Sequence, residues 1–69
     1  MNLSPATAQV LALLRENTES SGHVYLDNAR PDGMSDKSFR SHLAALSKAG
    51  LYRPIDGYAW GEVKTEAGQ

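Results

Sequence analysis

Between Ser35 and Val63 the hydrophobic period of the chain changes from that of a helix to that of a strand across one glycine, Gly50. Upstream of it, at about 100° per residue, Phe39, His42, Leu43, Leu46 and Ala49 fall on one side. Lys37, Arg40, Ser41, Ala44 and Lys48 fall on the other. Ser35 is a good N-cap, Asp36 places negative charge in the first turn and Lys48 positive charge in the last. Gly50 suits the position just past a helix end. The spacing predicts an amphipathic helix over 35–49. Downstream, two period-two stretches flank Asp56-Gly57, a two-residue turn signal, and predict a hairpin with strands at 51–55 and 58–63. With that turn, Ile55 faces Tyr58 and Arg53 faces Trp60. Pro54, which donates no ladder hydrogen bond, belongs on an edge strand.

The first half is built more simply. Ser4-Pro5 is a helix-start signal, and Ala6, Val10, Leu13 and Leu14 follow at helical spacing, with Leu11 widening the apolar face. The polar run Asn17 to Gly22 ends the pattern, so the first helix is expected over 5–17. His23-Val24-Tyr25-Leu26 is rich in strand formers and predicts a short strand over 23–26. Asp27 to Met34, interrupted by Pro31 and Gly33, supports a single helical turn or an irregular loop. Residues 65–69 read as a frayed tail. The expected fold class is α+β, in one domain of 69 residues.

Composition excludes several functions. There is no cysteine, so disulfides and thiolate metal sites are out of reach. His23 and His42 are too few for a metal cluster, and the Asp27–Gly33 stretch puts Ala29 and Pro31 where a calcium loop offers ligands. No apolar run approaches the roughly 18 residues of a membrane span, and the N-terminus does not read as a signal peptide. The expected compartment is the cytoplasm. No nucleophile elbow, phosphate-binding glycine loop or paired metal histidines are present, so no enzyme and no cofactor are expected. The net charge of −1 hides a strong segregation: residues 37–53 carry Lys37, Arg40, Lys48 and Arg53 without an acid. A chain close to neutral can therefore present one basic face.

The stretch Leu43-x-x-Leu46-x-x-x-Gly50-Leu51-Tyr52, running into a hairpin with Asp56-Gly57 at its tip, resembles the recognition helix and wing of winged-helix transcriptional regulators of the MarR-like and ArsR-like kind. The resemblance covers about residues 23–64. It implies a small double-stranded-DNA-binding regulator of bacterial, phage or plasmid type, acting as a homodimer on a palindromic site. One departure stands out: the family places a complete helix before the recognition helix, where 27–34 offers a turn at most.

If the resemblance holds, the N-terminal half of the 35–49 helix enters the major groove. Lys37, Ser38, Arg40 and Ser41 then reach bases and phosphates, with Arg40 able to donate two hydrogen bonds to a guanine. Lys48 and Arg53 supply phosphate contacts. Arg53 has an alternative role, stacking on Trp60. Tyr52, Tyr58 and Trp60 are expected in the core of the small sheet, and His42 packs on the buried side of its helix. The competing reading is a winged-helix protein-interaction module, or a small phage-encoded inhibitor of the anti-CRISPR kind, that binds no DNA. It would show itself as an exposed apolar patch around Leu3 and Leu11, where DNA binding would show a basic stripe through Lys37, Arg40, Lys48 and Arg53.

Overall fold

A computed structural model describes residues 3–55 and 59–64. Two helices and a three-stranded antiparallel sheet make a small α+β domain. Helix α1 spans Pro5–Glu16 and opens as its sequence demands: the Ser4 hydroxyl accepts from the Thr7 amide at 3.2 Å, and Pro5 occupies the first turn. Strand β1 is His23–Tyr25, one residue shorter than expected. Leu26 leaves the strand to begin a single 3₁₀ turn, Leu26–Asn28, while its N–H still donates to the Ala59 carbonyl at 2.9 Å. That turn is the whole helical content of 27–34, in line with the interruption by Pro31 and Gly33.

Helix α2 covers Asp36–Lys48, with Ser35 and Ala49 as its caps. Its C-terminal end is a complete Schellman motif. The Leu51 N–H donates to the Leu46 carbonyl at 2.9 Å, and the Gly50 N–H to that of Ser47 at 3.0 Å. Gly50 takes φ 80°, the left-handed geometry that turns the chain directly into the sheet.

Strands β2, Tyr52–Ile55, and β3, Trp60–Val63, follow. The sheet order is β1-β3-β2, so β2 is an edge strand, as Pro54 requires. The expected register is corrected by two residues. Ile55 lies opposite Trp60 and Arg53 opposite Glu62, not Tyr58 and Trp60. A connection longer than two residues produces this, and a shift of two keeps every side chain on its expected face. Asp56, Gly57, Tyr58 and the tail 65–69 lie outside the described residues.

Alternation sorts the sheet into two faces. Val24, Gly61, Tyr52 and Val63 are buried toward the helices, where they meet Val10, Leu11 and Leu14 of α1 and Phe39, Leu43 and Leu46 of α2. Val10, Leu14, Val24 and Leu46 are fully buried at the centre. The opposite face carries Tyr25, Trp60 and Ile55 in one cross-strand row and His23, Glu62 and Arg53 in the next. Trp60 is therefore not in the core, contrary to the sequence-based expectation. Tyr52 is, with 7 % of its surface exposed.

Candidate nucleic-acid interface

The face that α2 turns to solvent follows from which of its residues the core consumes. Phe39, Leu43 and Leu46 are buried, and His42 is half-buried beside them. Lys37, Ser38, Arg40 and Ser41, together with Ala44, Ala45, Ser47 and Lys48, are exposed. On the helical wheel, Ala44, Lys37, Lys48 and Ser41 form the middle of this face, with Arg40 on one flank and Ser38 on the other. Small side chains separate the basic ones, so another surface can approach the helix closely.

A polar bridge joins α2 to α1 on the side away from this face. The Thr7 hydroxyl of α1, in a residue only 5 % exposed, is hydrogen-bonded to His42 Nδ1 at 2.9 Å. The Ser4 hydroxyl donates to the same Thr7 oxygen at 2.9 Å. The Thr7 hydroxyl and His42 Nδ1 share one hydrogen, and the imidazole tautomer sets which of them donates it. A buried hydroxyl and a half-buried imidazole thus satisfy one another across the helix pair.

Both arginines of the expected interface are engaged by carboxylates. Arg40 Nε lies 3.0 Å from Asp36 Oδ2, and Arg30 Nη1 lies 3.9 Å from the other oxygen of that carboxylate. Arg40 also stands on the rim of a groove of about 300 Å³ floored by Leu26, Phe39, Leu43 and Tyr52. Arg53 forms an ion pair with Glu62 across the β2–β3 ladder, which corrects the expected stacking on Trp60. It lines a concavity of about 520 Å³ together with Ser47, Glu62 and Lys64. Lys37 and Lys48 make no ion pair among the described residues.

The structure therefore brings Lys37, Ser38, Arg40, Ser41 and Lys48 onto one exposed helix face, while Arg53 stands on strand β2 opposite Glu62. Asp36 was read from the sequence only as a helix-dipole residue, although its spacing of four from Arg40 signals the pair. Thr7 was missed, because its partner is 35 positions away in sequence. Leu3 and Leu11 form no exposed patch: Leu11 is in the core, and Leu3 packs against it. Among the described residues there is no cluster of metal-ligating side chains and no helix long and apolar enough to cross a membrane. No protein-family model, no curated protein and no solved structure matches the chain.

Proposed function

We propose that this chain is a minimal winged-helix domain that binds double-stranded DNA, with α2 as the recognition helix and the β2–β3 hairpin as the wing. The observation that carries the reading is the exposed face of α2, where Lys37, Ser41, Ala44 and Lys48 form a basic, closely approachable centre flanked by Ser38 and Arg40. A helix of 13 residues is roughly 20 Å long, and the major groove is about 12 Å wide, so one side of α2 fits into it. The element order supports the winged-helix assignment: a helix passes through Gly50 directly into the hairpin, and β1 closes the sheet against β3. In this reading the protein is a non-enzymatic transcriptional regulator.

Fluorescence anisotropy with a pool of mixed duplexes at two salt concentrations tests it. Binding should fall steeply with salt, and Lys37→Ala with Lys48→Ala should reduce the salt slope by about two phosphate contacts. After selection of a cognate site, Arg40→Ala should lose roughly 1–3 kcal/mol on that site and less elsewhere. A protein that binds no duplex even at low salt is not a DNA-binding domain of this kind.

A further inference from the structure

A row of large apolar side chains lies on the sheet, on the face turned away from α1 and α2. The register places Tyr25, Trp60 and Ile55 side by side across all three strands. The rings of Tyr25 and Trp60 pack against one another with centroids 5.3 Å apart and planes tilted by 57°. All three residues are only partly buried, and none belongs to the core cluster. A domain this short has few large apolar side chains, and placing three of them in an outward row leaves a surface that aromatic-rich interfaces use as an anchor.

Beside this row is a depression of about 350 Å³ lined by Trp60, Ile55, His23, Ser21 and Glu19. Its lining thus combines an aromatic and an aliphatic residue with a histidine, a serine and a glutamate. Glu19 is exposed and makes no ion pair among the described residues, whereas Glu62 on the same face is already neutralised by Arg53. Among the described carboxylate and guanidinium groups of this face, the charge left over is negative. An indole and an unpaired acidic residue lining one depression favour a cation, the first through its ring quadrupole and the second through direct charge. The same carboxylate repels a nucleic-acid backbone. It also repels its own counterpart in a face-to-face pair of copies.

We propose that the outer sheet face is a docking surface for a basic segment of a partner protein, in which an arginine or lysine enters the depression between Trp60 and Glu19 while its apolar neighbours cover Tyr25 and Ile55. The surface is distinct from the exposed face of α2 and does not depend on DNA binding by that helix. A domain with both would couple a helix face to a second macromolecule through opposite sides of one small core.

Trp60 is the only tryptophan in the chain, so its emission reports this surface directly. The probe is a capped five-residue peptide of alternating leucine and arginine, with a glutamate-for-arginine counterpart as control. The expected result is a saturable change in Trp60 emission with the arginine peptide below about 1 mM and none with the glutamate peptide. Glu19→Gln, at an exposed position, should keep the circular dichroism spectrum of the parent and weaken the arginine peptide roughly fivefold. An equal response to both peptides, no saturable response, or affinity unaffected by Glu19→Gln overturns the proposal. One further result does so as well: emission that changes with the protein's own concentration as a dimer forms in sedimentation.

Discussion

The ring of Tyr52 lies over Gly61, in the space that a side chain at Gly61 would occupy. A Cβ there would stand 2.9 Å from Tyr52 Cζ and 2.8 Å from its hydroxyl oxygen, closer than real Cβ contacts come. Both residues are buried on the inner face of the hairpin, one on each strand. Gly61 is thus a packing residue: it lets an aromatic ring lie flat on the neighbouring strand and complete the core between α2 and the sheet.

Gly61→Ala should therefore overpack the hairpin and cost about 1–3 kcal/mol in urea unfolding. Because the cost arises at one ring, Gly61→Ala should be much milder in a Tyr52→Leu background, and the double-mutant cycle should show the coupling. Equal costs in the two backgrounds would mean that the ring is not the obstacle.

Burial raises the Tyr52 hydroxyl above its ordinary pKa of 10.0. Ionisation is then easier in the unfolded chain than in the folded one. The stability this residue contributes is fully present below about pH 10 and is lost as pH rises through the elevated folded value. The urea midpoint should fall above pH 10 in the parent, and Tyr52→Phe should make that fall shallower. An identical alkaline slope in the two proteins would assign the loss to other groups.

Thr7→Val preserves shape but removes the hydroxyl that meets His42 Nδ1. The half-buried imidazole loses its partner across the helix pair, at an expected cost of about 1 kcal/mol. Chemical denaturation measures the cost. An unchanged midpoint would show that water replaces the hydroxyl without penalty.

Asp36 holds Arg40 and approaches Arg30, and all three side chains are well exposed. Under the proposed function, Asp36→Asn should raise affinity for non-cognate duplex DNA a few-fold at low salt, because it removes one repulsive charge beside Arg30 and Arg40. It should also cost about 0.5 kcal/mol of stability through loss of the acid from the first turn. Anisotropy and urea unfolding on the same samples separate the two effects. Unchanged or weaker DNA affinity would count against the placement of Arg40 in the interface.

Much of the secondary structure was legible residue by residue because the signals are local. Ser4 and Ser35 cap the helices through amides three residues on, and Gly50 ends α2 by hydrogen bonds that stay within one turn. The solvent face of α2 was legible for the same reason, since a helical period of 3.6 assigns Lys37, Ser41 and Lys48 once Leu43 and Leu46 are buried. The hairpin register was less so. Asp56-Gly57 favours a two-residue turn by itself, and the pairing of Ile55 with Trp60 overrides that preference.

The sequence by itself determined where the helices start and stop, which side of each meets the core, and that a hairpin follows Gly50. All of these depend on residues within a few positions of one another. Only the tertiary structure decided that Trp60 packs at a tilt against Tyr25 on the outer face, that Thr7 meets His42, and that Tyr52 closes over Gly61. In the first two the partners are 35 positions apart, and in the third they lie on paired strands in a register the turn residues do not specify. Such pairings depend on how distant segments come together: Thr7–His42 on the packing of α1 against α2, Tyr25–Trp60 on the pairing of β1 with β3, and Tyr52–Gly61 on the register of β2 with β3.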